Sequence, residues 1–157
     1  MWQLLILIIA ANGAPVLASH LLRGRWPAPV DLRLRLADGR RLFGASKTWR
    51  GVVAALLVSA GLAPLLGIPP SLGLAAGILA MAGDLLSSFT KRRLGLRPSS
   101  RVPLLDTVPE ALLPGLGLMV PLALGTTDLL LLVILFSLFD MLASPLLYRL
   151  RIRRQPW

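Results

Sequence analysis

Asp84, Ser87, Ser88 and Lys91 stand at i, i+3, i+4 and i+7, so a helix places all four on one face. They close a long apolar run, where a carboxylate costs ~2.5–3.5 kcal/mol at the membrane centre on insertion scales and less near a helix end, and is therefore kept for a partner or a function. Two readings stand: a structural Asp84–Lys91 pair, or a charged site. The next segment begins Lys91-Arg92-Arg93 and closes with Asp106 and Glu110, spaced one helical turn apart. Carboxylate oxygens beside ammonium and guanidinium groups suit a phosphorylated substrate with Mg²⁺, the acids holding the metal and the cations neutralising phosphate. Arg92, Arg93 and Arg97, taken singly, read better as ordinary positive-inside charge.

A second candidate is Gly44-Ala45-Ser46-Lys47-Thr48-Trp49-Arg50-Gly51, which runs directly into an apolar segment. A Walker A loop needs Lys-Thr directly after its second glycine. Ala45 and Ser46 intervene here and no strand precedes, so a P-loop is rejected. Backbone donors at a helix N terminus beside Lys47, Thr48 and Arg50 still make a phosphate cradle. Asn12 and Asp140 are polar residues at membrane depth. Asn12 reads as interhelical glue or as a substrate-facing group, and Asp140, between Ser137 and Ser144, as a buried structural partner. His20 reads as an interfacial residue.

The elements that position these residues are apolar. Residues of hydrophobic type make up 55% of the 157, and only 15% are charged, against roughly 25% in a soluble domain. The apolar runs approach the ~20 residues a helix needs to cross a bilayer. The expected fold is an all-α integral membrane protein of about five transmembrane helices in one domain, at residues 2–22, 51–66, 72–90, 110–124 and 129–147. Loops 23–50 and 91–109 and a tail 148–157 connect and end them. Gly73, Ala76, Gly77, Ala80 and Gly83 give the third helix a face that a neighbouring backbone can approach, within one chain or between copies in a homo-oligomer. Pro114, Gly115, Gly117 and Pro121 predict a kinked fourth helix.

The net charge of +10 raises the question of nucleic acid, and the placement of the cations answers it. Of seventeen, eight lie within residues 23–50, five within 91–101 and four within 149–154. Alternate connections thus carry all of them, which is the positive-inside pattern: N terminus outside, C terminus cytoplasmic, and both charged loops facing the cytoplasm from the cell membrane. Nucleic acid is not needed to explain the charge. The first apolar run has its cations after it instead of before it, so it reads as a retained helix and not a signal peptide. The absence of cysteine excludes disulfides, thiolate nucleophiles and Cys-based metal sites.

Several strings together resemble the CDP-archaeol synthase family, membrane cytidylyltransferases related to bacterial CDP-diacylglycerol synthases. They are residues 11–17 (Ala-Asn-Gly-Ala-Pro-Val-Leu), Pro29-Val30-Asp31, Asp38-Gly39-Arg40-Arg41 with Gly44, residues 47–51, the stretch 83–95 and Pro103-Leu104-Leu105-Asp106. The resemblance spans nearly the whole chain. It implies transfer of CMP from CTP to a lipid phosphate, archaeol-type or phosphatidate-like, giving a CDP-lipid and pyrophosphate with Mg²⁺. It puts Asp84 and Asp106 at the metal. Asp84, Lys91 and Asp106 become the catalytic set, Lys47, Thr48, Arg50, Ser88, Lys91 and Arg92 surround the CTP phosphates, and Asn12 lies near the reaction centre. Where the diacylglycerol enzymes carry a second loop acid three residues after the first, this chain has Pro109, and two readings stand: Glu110, displaced by one, is a substitute metal ligand, or the site holds fewer protein ligands. Pro98-Ser99-Ser100-Arg101 stands where a Gly-rich turn is expected. The competing reading is a non-catalytic transporter or lipid-handling protein, which requires a continuous polar path through Asn12 and Asp140 to the outer side.

Overall fold

The computed structural model describes residues 1–22, 25–96, 100 and 102–149; Arg23, Arg97, Pro98, Ser99, Arg101 and positions 150–157 of the expected tail lie outside the described residues. The chain forms α1 (Trp2–Leu21), α2 (Trp49–Leu62) with a 3₁₀ turn (Ala63–Leu66), α3 (Pro70–Arg93), α4 (Pro103–Gly117) and α5 (Thr126–Arg149). Among the described residues four segments are long and apolar enough to span a bilayer: α1, α2 with its 3₁₀ turn, α3 and α5. Helices are the form such segments take because lipid offers their amides no partner. The protein is thus a multi-pass membrane protein of five helices.

The fourth helix differs from the sequence expectation, beginning at Pro103 rather than near residue 110 and ending at Gly117. Pro103 occupies a position where the missing N–H costs nothing, and Asp106 in the first turn accepts from the Val102 amide at 3.0 Å. Pro109 therefore lies inside the helix, and Asp106 belongs to a helix instead of a loop. At 15 residues α4 is only ~22 Å long.

Helix α3 is central, packing against α1, α2 and α4, while α4 also packs on α5. Its small residues are buried within the chain, so the between-copies use of that face is closed. A side chain on Gly73 would strike Ser59 and Ala63 of the α2 segment, and one on Gly83 would strike the backbone of Pro109 and Glu110 in α4. Away from the long loop, Leu4, Leu7 and Ile8 pack with Ala63, Ile68, Leu118, Leu124, Leu132 and Phe136 in a fully apolar core.

The loop between α1 and α2 is an irregular hairpin. Val30 donates to the Lys47 carbonyl at 2.8 Å and Trp49 to that of Ala28 at 3.0 Å, while Leu42 donates to that of Leu34 at 3.1 Å. Gly39, at φ 71°, makes the reversal between the bridged residues Arg35 and Arg41. The hairpin is pinned to the end of α3 reciprocally. Arg40 donates to the carbonyls of Arg92 (3.3 Å) and Arg93 (2.8 Å), covering the helix C terminus. Arg93 pairs with Asp38 at 2.5 Å and donates to the Arg41 carbonyl at 2.8 Å.

Candidate active site

Thr48 caps α2: its backbone is extended and its Oγ1 accepts from the Gly51 amide at 3.3 Å. This fixes the residue before it, and the Lys47 ammonium reaches Asp84 Oδ1 of α3 at 2.5 Å. The close approach of Gly83 to the Pro109–Glu110 backbone brings Glu110 near enough to Asp84 for their charges to act on each other. Lys47 supplies a compensating charge beside these acids. Burial pulls the Lys47 ammonium down, but the attraction of Asp84, Glu110 and Asp106 together outweighs it and raises the group above its usual value. Those three acids and Lys47 therefore lie within one electrostatic neighbourhood.

A second ion pair flanks the first. Lys91 meets Asp106 at 2.6 Å and donates to the Ser100 carbonyl at 3.2 Å. The structural alternative of an Asp84–Lys91 pair is thereby corrected: each takes a partner from another element. Ser87 donates to the Asp84 carbonyl at 3.0 Å, and Ser88 is buried one turn on. Arg92 is buried as well, its Cδ 3.9 Å from where a side chain on Gly44 would begin. The expected three-carboxylate ligand set is not assembled, because Lys47 engages Asp84 and Lys91 engages Asp106. Among the described residues no three acids or imidazoles form a ready metal cluster.

Two expected site residues point elsewhere. Asn12 donates to the Ile8 carbonyl of its own helix at 3.1 Å, and the Arg50 guanidinium donates to the Arg25 carbonyl. Thr48 uses its hydroxyl on the α2 cap. The Gly44 amide, proposed for a phosphate cradle, is donated to Asp31 at 3.0 Å. Around Asp140 the serines divide: Ser144 donates to Asp140 at 3.2 Å, whereas Ser137 bonds Thr107 of α4 at 2.7 Å. Asp140 is also close enough for its charge to act on Glu110. No polar path to the other end is present among the described residues, because the apolar core of Leu4, Leu7, Ile8, Leu132 and Phe136 fills it.

Asp31, which the sequence marks only as part of the string Pro29-Val30-Asp31 and to which it gives no role, is the residue that sequence reasoning left unexplained. Its side chain is buried and paired with Arg41, and it accepts from the amides of Arg33, Phe43 and Gly44. Burial opposes its charge, but the Arg41 guanidinium and the Gly44, Arg33 and Phe43 amides hold its pKa down to about 2. The available signal was one of two acids in an arginine-rich hairpin. Asp38 is lowered more simply, first by the Arg40 amide and then by Arg93.

A family model described as CarS-like, CDP-archaeol synthase, matches residues 1–70 and 70–157. The CDP-archaeol synthase of Hyperthermus butylicus is 38% identical, over 95% of this chain and 90% of that protein. That of Pyrobaculum calidifontis is 38% identical over 99% and 97%, and that of Pyrococcus furiosus 35% over 94% and 90%. A solved structure of an intramembrane enzyme for archaeal membrane lipid biosynthesis superposes with a TM-score of 0.77 at 29% identity, covering 90% of each chain.

Proposed function

The chain belongs to the CDP-archaeol synthase family, and we propose that it transfers CMP from CTP to the phosphate of an archaeol-type ether lipid, at the charged end of the bundle and on the cytoplasmic side of the cell membrane. The observation that carries this site assignment is the pair of lysine–carboxylate bridges, Lys47–Asp84 and Lys91–Asp106, drawn from three elements around Glu110. An acceptor phosphate oxygen attacks the α-phosphorus of CTP, a P–O bond to the β-phosphate breaks, and pyrophosphate leaves. With a second phosphate pKa near ~6 the acceptor is already ionised at neutral pH, so no side chain has to remove a proton. What the protein supplies is position and compensating charge.

Lys47 and Lys91 carry that charge to the phosphates, exchanging their carboxylate partners for triphosphate oxygens. Arg92 and Ser88 line the same side of α3, and the Thr48 cap holds Lys47 in place. Asn12 and Arg50 enter the site by turning from the carbonyls they now hold. The donor set suits Mg²⁺: Asp84 and Glu110 offer hard oxygens near one another beside an ammonium, with Asp106 as a further donor. A bound Mg²⁺ supplies charge neutralisation on the triphosphate. The positive-inside distribution supports the cytoplasmic assignment of loops 23–50 and 91–109.

The test is incubation of purified protein with labelled CTP, Mg²⁺ and lipid phosphates bearing ether-linked or ester-linked tails. CDP-lipid from the ether-linked acceptor is the expected result. Absence of product from every acceptor overturns the reading.

A further inference from the structure

Asp31 touches none of the residues assigned to the nucleotide, yet it is the most heavily hydrogen-bonded side chain of the hairpin. Oδ1 takes the Arg33 amide at 3.0 Å and the Arg41 guanidinium; Oδ2 takes Arg41 Nε at 3.2 Å, the Phe43 amide at 3.3 Å and the Gly44 amide at 3.0 Å. One carboxylate thus joins the outgoing strand, at 31 and 33, to the returning strand, at 41, 43 and 44. The next connection along the hairpin is the Val30 amide to the Lys47 carbonyl at 2.8 Å, reinforced by the bridge between Pro29 and Thr48. Between these fixed points the returning chain has only Ala45 and Ser46 in which to turn. Gly44 takes φ 106°, which an L side chain rarely adopts, and Lys47 donates its amide back to the Gly44 carbonyl. The course of the chain into Lys47 is therefore set by where Asp31 holds Gly44.

We infer that Asp31 is a positioning residue for the nucleotide: by anchoring Phe43 and Gly44 against Val30 it fixes Lys47 over Asp84, and so governs CTP affinity without contacting CTP. This rests on the function proposed above. A neutral residue at 31 cannot satisfy both the Arg41 fork and three amides, because an amide side chain has one acceptor oxygen and turns a donor toward Arg41. The hairpin's second attachment, Arg40 and Arg93 with Asp38 at the end of α3, stays in place. The loop therefore remains docked while the Gly44–Thr48 turn loosens. Displacement of a charged group by ~1 Å costs up to about 100-fold in transfer reactions, so a partial loosening gives roughly tenfold.

Asp31→Asn is the direct variant, and Arg41→Lys, which keeps the charge but loses the fork, is the milder one. The full-length protein is assayed with each substrate varied in turn. The expected result is a KM for CTP raised about tenfold in Asp31→Asn and less in Arg41→Lys, with the KM for the lipid phosphate and the kcat at saturating CTP within about threefold of wild type. An unchanged KM for CTP overturns the inference. So does a kcat that falls in proportion to the folded fraction with both KM values unmoved, which is the behaviour of a purely structural residue. If Asp31→Asn does not fold, Arg41→Lys decides by the same criteria. If the wild type forms no CDP-lipid, the proposed reaction fails by itself, and equilibrium dialysis with labelled CTP judges the inference: weaker binding by either variant supports it and equal binding overturns it.

Discussion

The two ends of this bundle are built from different materials. At one, Leu4, Leu7 and Ile8 meet Ile68, Leu118, Leu132 and Phe136 with no ionisable group among them. At the other lie the pairs Arg41–Asp31, Lys47–Asp84, Lys91–Asp106 and Arg93–Asp38. Removing charges from water is costly, and partly buried ion pairs are poor instruments of stability, since apolar replacements often do as well. Their concentration at one end is therefore an arrangement for handling charge. The apolar end holds the helices in register by close packing, because lipid tails are as apolar as leucine and give helices no hydrophobic reason to associate.

The comparison is tested most severely at Asp84. Asp84→Asn removes the charge that holds Lys47, and turnover is expected to fall by about 100-fold or more, while membrane insertion and helix content persist. CDP-lipid formation and circular dichroism measured on the same preparation decide it. Normal turnover breaks the division of labour outright.

Leu7→Ala is the mirror experiment. Leu7 is fully buried in the apolar end, and its truncation leaves a cavity costing on the order of 2 kcal/mol, toward the low end for buried leucines because dispersion and not water exclusion is lost. Thermal unfolding in detergent should show this loss, with kcat per folded molecule unchanged. A selective loss of kcat would mean that the apolar end reports to the site.

The two ends also differ in how legible they are. Hydropathy located the apolar segments, and the spacing of Gly73, Ala76, Gly77, Ala80 and Gly83 identified the face on which α3 packs, because both depend on local periodicity. The charged residues could be recognised as a group from their position, but their pairing could not. Lys47 finds Asp84 across 37 residues, and Asp84 and Lys91, neighbours on one helix face, part to different partners. Helix α4 was misplaced because Pro109 and Asp106 read as loop residues, whereas Pro103 at the start is what permits the helix to begin early. Asp31 received no role from the sequence because three of its partners are backbone amides, which every residue has, and the fourth, Arg41, is one arginine of several in the loop.

Acid sharpens the contrast, since all four ion pairs among the described residues lie at one end. Asp31 falls from 3.8 to about 2 on folding, so its contribution is fully present above pH ~4 and is lost as the pH drops through about 2. At ~1.36 kcal/mol per unit this amounts to about 2 kcal/mol. The unfolding midpoint of wild type should decline over that window more steeply than that of Asp31→Asn, while Leu7→Ala should run parallel to wild type. Equal slopes for wild type and Asp31→Asn would remove Asp31 from the account of the hairpin.

The smallest effect is expected where the two ends meet. Thr107 Oγ1 lies 2.9 Å from the Pro103 carbonyl and 2.7 Å from Ser137 Oγ, one residue beyond the core residue Phe136. A threonine hydroxyl has one proton, and the Pro103 carbonyl can only accept, so Thr107 donates to Pro103 and Ser137 donates to Thr107. Ser137→Ala then removes a donor without leaving Thr107's proton unsatisfied. Interhelical hydrogen bonds of this kind average ~0.6 kcal/mol in membranes, and that is the loss expected in the unfolding midpoint. Thr107→Val should cost more, because it leaves the Ser137 hydroxyl without its acceptor between two helices. If Ser137→Ala proves the more damaging of the two, the direction of donation is reversed, and the boundary is held by α5 rather than by the first turns of α4.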